Sequence, residues 1–220
     1  LYYNFGCICF WLDKYDEALS AFKKSLELSA GAGDEYKRDI YYNIGNTYYM
    51  LGKYYEAVKS YEIALKLFGD DIKVIENLSF AYVKIGEPDR GIELLKSTPV
   101  TYDTYRAHFI AGKLLSEAGR YSESEKEFNN CILLRGYYAE PKAELAKVLV
   151  KMKKHEAAVD MYNEILSVEP DNYEAWYNKS RLCSMLGRWT EAAEGYREVL
   201  RLKPDSAINY YNLGVALEES

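Results

Sequence analysis

Trp176-Tyr177-Asn178 returns 34 residues later as Tyr210-Tyr211-Asn212, and Glu169-Pro170-Asp171 returns at the same shift as Lys203-Pro204-Asp205. Two matches at one shift define a repeat, and a period near 34 is a signature of stacked helical units. Working back along the chain, Gly52, Gly86 and Gly119 fall 34 and 33 residues apart, with Gly187 two periods further on. A glycine recurring there marks a break between two helices, where the backbone takes positive φ without steric cost. The frame that results has units at residues 1–37, 38–71, 72–104, 105–138, 139–172 and 173–206, and a half-unit at 207–220. In each, an apolar pattern of helical period runs to the break and a second one follows it. The expectation is thirteen helices, paired as antiparallel hairpins, and no strand.

Two further registers recur within the units. In the first helix a small place is held by Gly6, Gly45, Ser79, Gly112, Ala146, Ser180 and Gly214. In the second, a small place (Ala18, Ala57, Gly91, Ser124, Ala158, Ala192) precedes a large one (Phe22, Tyr61, Leu95, Phe128, Tyr162, Tyr196). Small facing large is read as the means by which neighbouring hairpins interlock. Three irregularities are visible. About five extra residues around Gly31 to Asp34 suggest a longer second helix or a looser turn in the first unit. In the degenerate unit 72–104, Pro88 stands early in the second helix, where its missing N–H costs little, and Ser97-Thr98-Pro99 then cuts that helix short and leaves only Leu95 as its large residue, which makes the junction with the next unit the weakest. Lys153 stands where a turn glycine is expected.

Composition narrows the function. The 220 residues carry a net charge of −6, which argues against a general nucleic-acid grip built on clustered Lys and Arg. No apolar run is long enough to span a membrane. The N-terminal residues lack a basic secretory n-region, and without an initiator methionine the chain is expected to begin inside a larger protein. Four cysteines are too sparse for a disulfide framework, so a reducing, cytoplasmic setting is the default. Cys9, Cys131 and Cys183 fall on inward registers and read as core thiols. Cys7 and Cys9 make a lone Cys-x-Cys with no second cluster for zinc. The two histidines, His108 and His155, occupy places held elsewhere by packing aromatics. No phosphate-binding, nucleophile-elbow or metalloprotease motif occurs. Neither catalysis, nor a metal, nor a cofactor is expected of these residues.

The runs Tyr41 to Tyr49 with Gly52-Lys53-Tyr54-Tyr55-Glu56-Ala57, and Trp176 through Pro204, resemble the tetratricopeptide repeat family, and the resemblance covers essentially the whole chain. It implies an all-α, right-handed superhelical solenoid of antiparallel helix pairs, forming one domain over residues 1–220. It also implies a concave groove lined by first helices that receives an extended peptide or a helix of a partner. The groove residues this assigns are Tyr42, Asn43, Asn46, Tyr49, Lys73, Asn77, Phe80, Lys84, Arg106, Phe109, Lys113, Asn178 and Arg181. Asn4, Asn43, Asn77, Asn178 and Asn212 share one register, interrupted by Ile110 and Glu144. Such a row can pair with a peptide backbone whatever its side chains. Chaperone-binding members of the family grip a terminal carboxylate with five polar residues. The matching places here are Tyr42, Asn46, Asn77, Arg106 and Ile110, of which only three suit the task, so that clamp is not expected.

Along the four units from residue 72 to 206, Lys73, Lys84, Arg106, Lys113, Lys147, Lys151 and Arg181 outnumber Glu76, Glu117, Glu140, Glu144 and Glu174 at groove places. The expected ligand is therefore acidic or carboxylate-bearing, with an aromatic or aliphatic anchor. The leading expectation is a non-enzymatic protein-interaction scaffold. One alternative is a self-assembly module that pairs as a homodimer through its exposed terminal helices. The other is an accessory domain of a larger enzyme, such as a glycosyltransferase.

Overall fold

The side chain of Asn172 accepts a hydrogen bond from the Ala175 backbone N–H at 3.0 Å, and the Trp176 indole N–H donates to the Pro170 carbonyl at 2.8 Å. The Pro-Asp stretch thus leads into a helix start in both copies, and at Asn172 the cap satisfies a backbone donor that the helix itself cannot. Asp71 caps another helix in the same way, accepting from the Lys73 N–H at 2.9 Å. The computed structural model describes residues 1–67, 71–97 and 104–220. Among them are thirteen helices and no strand.

The chain divides into two compact units, Leu1–Ala118 and Gly119–Ser220, and the division falls inside the expected repeat 105–138. The first unit holds α1 (Tyr2–Trp11), α2 (Tyr15–Glu27), α3 (Asp34–Met50), α4 (Tyr54–Leu67), α5 (Ile72–Lys84), α6 (Pro88–Ser97) and α7 (Thr104–Glu117). The second holds α8 (Tyr121–Leu134), α9 (Ala139–Lys151), α10 (His155–Val168), α11 (Tyr173–Met185), α12 (Trp189–Leu202) and α13 (Ala207–Glu218). Within each unit every helix packs on the next in sequence, and in the first unit the alternate helices α1, α3, α5 and α7 also touch in turn.

One turn closes most of the hairpins. Gly52, Gly86, Gly119 and Gly187 all have positive φ, between 71° and 83°. After three of them the next backbone N–H reaches back five residues, from Lys53 to the Tyr48 carbonyl, Glu87 to Tyr82 and Arg188 to Cys183, at 2.8 to 2.9 Å. This is the six-to-one bond that satisfies an orphan carbonyl at a helix end. Lys153 adopts the same conformation at φ 60°, as does Asp13 at φ 58°, and the Lys154 N–H makes the same bond to the Leu149 carbonyl. The lysine therefore keeps the turn and carries the strain of a side chain in left-handed backbone.

The first two hairpins are each closed by a ring seated on a glycine. A Cβ placed on Gly6 would lie 2.7 Å from the Phe22 ring, and one on Gly45 would lie 2.5 Å from the Tyr61 ring. Both pairs join the two helices of one hairpin, α1 with α2 and α3 with α4. The small-to-large fit therefore acts within hairpins, not between neighbours as the registers suggested, because the two residues lie on facing surfaces of paired helices. Around these seats lie clusters of Cys9, Ala18, Leu19, Phe22, Ile40 and Ile44, and of Val58, Tyr61, Val74, Leu78 and Tyr82.

The irregular regions meet expectation in part, since residues 28–33 form the looser turn. The extra residues after α2 do not lengthen it; α2 has 13 residues, and α3 starts early and runs to 17. Asp34 and Glu35 in its first turn favour that start by opposing the helix dipole. The second helix of the third hairpin is retained over ten residues, while the stop expected at Thr98-Pro99 lies outside the described residues. Its glycine sits on the second helix: the Ser79 hydroxyl donates to the Gly91 carbonyl at 3.1 Å, and a Cβ on Gly91 would be 2.8 Å from the Ser79 carbonyl oxygen. Leu95 is buried with Ile75, Ile110 and Leu114. Ile110, taken as a groove residue, is only 6% exposed and belongs to this core.

Gly45→Ala should destabilise the protein by about 1–3 kcal/mol, since the Tyr61 ring must move. Gly214→Ala occupies the same register, but nothing lies within 4 Å, so it should stabilise by about 0.5–1 kcal/mol through helix propensity alone. Urea unfolding of both variants measures the contrast, and equal effects would refute the glycine seat. Lys153→Gly should raise the melting temperature by relieving about 1 kcal/mol of left-handed strain. An unchanged or lower value would show that lysine is not strained there.

Candidate functional site

The sequence-derived groove residues fall into the two units, and each unit has its own cleft. In the first, a cleft of about 340 Å³ is walled by Phe10 of α1, Tyr49 and Met50 of α3, Phe80 of α5, and Lys113 and Glu117 of α7. Its floor is polar. The Tyr61 hydroxyl donates to Asn46 Oδ1 at 2.7 Å, and Asn77 Nδ2 donates to the same oxygen at 2.9 Å and to the Tyr42 hydroxyl at 3.1 Å. Burial raises the pKa of both Tyr42 and Tyr61, so these rings stay neutral and hold the amides in one orientation.

The cations around this cleft are not equivalent. Lys113 has no carboxylate partner among the described residues; its ammonium lies 5.9 Å from the centre of Phe80 and 5.5 Å from that of Phe109. Both rings are half-buried and also pack on the core beneath them. Arg106 is matched by Glu76 through two bonds, at 2.6 and 3.0 Å, and Lys84 by Glu117 at 3.0 Å. Lys73 is exposed. Of the expected groove residues, the structure thus brings Asn46, Tyr49, Asn77, Phe80 and Lys113 to one cleft, with Tyr42 bonded beneath it and Phe109 under the lysine. Arg106, Lys84 and Lys73 stand outside its lining.

The asparagine row is more inward-looking than a backbone-reading ladder requires. Asn43 Nδ2 donates to the Asp39 carbonyl at 2.9 Å and to the Tyr3 hydroxyl at 3.1 Å, and Asn178 Nδ2 donates to the Glu174 carbonyl at 2.9 Å. With Asn77 also engaged, the amide groups of Asn43 and Asn77 each donate twice within the protein, whereas Asn178 donates once, to its own helix.

The second unit has a cleft of about 380 Å³ between α9, α10 and α11, with Glu140, Glu144, Lys147, Tyr162, Glu174 and Asn178 in its lining. Lys147 pairs with Glu144 at 2.8 Å. Tyr162 is pushed up to about 12, chiefly by burial and further by Glu144 and Glu174, with Arg181 opposing. Arg181 is exposed and does not line the cleft. Tyr61 and Tyr162 were read from the sequence as core residues only. Their rings are core, but they also line the clefts, and the available signal was that a tyrosine in a large apolar register carries a polar tip needing a partner.

The buried cysteines and half-buried histidines supply no convergent chemistry: burial raises the Cys131 thiol to about 12 and keeps it protonated. No helix among the described residues is long and apolar enough to cross a membrane.

Two family models, each described as tetratricopeptide repeat, match residues 1–70 and 144–207, together more than half of the chain. No curated protein is matched. Among solved structures, a MamA protein is 24% identical over 78% of this chain and 94% of its own, with a TM-score of 0.56. PilW, a type IV pilus biogenesis factor, is 15% identical over 98% of this chain and 96% of its own, with a TM-score of 0.68. A tetratricopeptide repeat protein from Parabacteroides merdae is 14% identical over 98% and 97%, with a TM-score of 0.63. At these identities the likeness shows the fold, an all-α stack of helical hairpins.

Proposed function

The chain belongs to the tetratricopeptide repeat family, whose members are in general protein-interaction scaffolds, and from that premise we propose that it acts without catalysis by holding an extended segment of a partner against its first helices. The observation that carries this reading is the cleft of residues 1–118, where half-buried rings wall a polar floor, Lys113 lies on two aromatic faces with no ion-pair partner among the described residues, and the one carboxylate in the lining, Glu117, is held by Lys84. Aromatic walls in a concave site suit an apolar anchor side chain. A cation on rings is less hydrated than one in water, so an incoming carboxylate gains a charge-assisted bond there. The segment bound at this cleft is therefore acidic and carries one aromatic or aliphatic anchor. Because the site is open to solvent, charge governs encounter rate and selectivity more than tightness.

A peptide-array screen with the 220-residue chain should select acidic sequences whose binding weakens with salt. Lys113→Glu should lower their affinity by more than about tenfold, a loss of about 1.4 kcal/mol, with its circular dichroism unchanged. Acidic peptides bound equally well by that variant would refute the assignment.

A second reading rests on a separate feature. Phe5 is 51% exposed and Ile8 57%, beside the exposed Leu1 and Tyr2, and between α1 and α2 lies a cleft of about 560 Å³ where Tyr2, Phe5 and Ala21 are rimmed by Glu17, Ser20, Lys23, Lys24 and Glu27. Contiguous apolar surface of this kind marks an interaction face, and two-fold pairing is the commonest closed assembly. Sedimentation should show concentration-dependent self-association that Phe5→Glu abolishes. A monomer at every concentration up to about a millimolar, a free energy near −4 kcal/mol, would remove this reading.

A further inference from the structure

The repeat register makes the two clefts directly comparable. Tyr162 stands at the place of Tyr61, Lys147 at that of Asn46, Glu144 at that of Asn43 and Asn178 at that of Asn77. In the first unit the amide of Asn46 accepts the Tyr61 hydroxyl. In the second, Lys147 turns to Glu144 at the surface, its side chain 59% exposed, and leaves the tyrosine without that acceptor. Tyr162 is only 4% exposed, lines the cleft, and has no hydrogen-bond partner among the described residues. Its hydroxyl is within electrostatic reach of Glu144, Glu174 and Arg181.

The charge of the cleft also differs from that of the first, whose lining holds one cation, Lys113, and one carboxylate, Glu117. Glu140 stands at the place of Asp39 and Glu174 at that of Lys73. Glu144 is balanced by Lys147, whereas Glu140 and Glu174 have no ion-pair partner among the described residues. Even with Arg181 counted, carboxylates outnumber cations around the cleft. No three His, Cys, Asp or Glu side chains among the described residues are grouped to hold a metal ion.

We propose that this cleft binds a lysine or arginine side chain of the partner segment, with Glu140 and Glu174 as counter-charges and the Tyr162 hydroxyl as acceptor at its floor. The proposal rests on the reading that first helices hold an extended segment, and it assigns the opposite charge preference to residues 119–220 from that of residues 1–118. An ammonium or guanidinium supplies the N–H donors that an unpartnered hydroxyl facing the cleft and two unpaired carboxylates lack.

The test is a 1H–15N NMR titration of the whole chain with acetylated, amidated pentapeptides Ala-Ala-Xaa-Ala-Ala, where Xaa is lysine, arginine, norleucine or glutamate. Lysine and arginine peptides should shift amides in residues 139–147 and 172–178, and the norleucine peptide, of equal length without the charge, should bind more weakly. Glu140→Gln and Glu174→Gln should each weaken the lysine peptide by up to about fivefold, the range for an ion pair open to solvent. Tyr162→Phe should weaken it too while leaving the melting temperature unchanged, because no hydrogen bond is lost in the unbound protein. Tyr61→Phe, which breaks the bond to Asn46, should lower the melting temperature. The proposal is overturned if norleucine binds as well as lysine, if the glutamate peptide shifts the same amides, or if Tyr162→Phe destabilises the protein as Tyr61→Phe does. If the glutamate peptide binds near Lys113 and the lysine peptide nowhere, this inference alone fails. If no peptide shifts any amide, the groove reading fails and takes the inference with it.

Discussion

The seating of an aromatic ring on a glycine is the contact from which the rest of the first unit follows. Tyr61 lies against Gly45 so closely that a single added carbon would collide with it. That approach sets the spacing of α3 and α4, and it decides where the far end of the tyrosine emerges. It emerges beneath the first helices, where Asn46 receives its hydroxyl and Asn77 and Tyr42 extend the chain of bonds. Core and groove are therefore not separate layers. One side chain is apolar packing at its ring and recognition surface at its oxygen, and the partner offered to that oxygen determines whether a cleft is closed in on itself or waits for a ligand.

Much of this architecture is legible in the sequence because it is periodic. A 34-residue shift exposes the hairpins, and the turn glycines and Pro-Asp starts locate their ends to within a few residues. Periodicity also identifies Asn46, Tyr49, Asn77, Phe80 and Lys113 as sharing a face, and the structure gathers them at one cleft. It fails where a residue's behaviour depends on an individual neighbour. Ile110 shares the asparagine register, yet Leu95 and Leu114 draw it into the core. Arg106 reads as available charge until Glu76, 30 residues earlier, is found opposite it. Lys153 looks like a broken turn, but the backbone bond from Lys154 is strong enough to hold a lysine where glycine would be easier.

Charge is the clearest case of information lost by averaging. Summed over four repeats, the groove places carry a modest positive excess, which describes neither cleft. In residues 1–118 two of the cations are already matched by carboxylates and one rests on rings. In residues 119–220 the carboxylates prevail at the cleft itself. A solenoid presents its surface one hairpin at a time, because each packs only on its neighbours. Its electrostatics must be read at the same resolution.

The glycine seats also bear on how such a chain can change over generations. Gly45 tolerates no enlargement while Tyr61 is present, and the third hairpin reaches closure by moving its glycine to the second helix, where Gly91 meets Ser79. The two helices of such a hairpin thus form a lock whose halves cannot drift separately, whereas groove side chains that take no part in it, Lys113 among them, are under no such constraint. Duplication or exchange of whole hairpins preserves every lock, and point substitution alone is confined to the exposed positions. Binding specificity in this chain can accordingly be revised residue by residue, while its scaffold is heritable only in blocks of two helices.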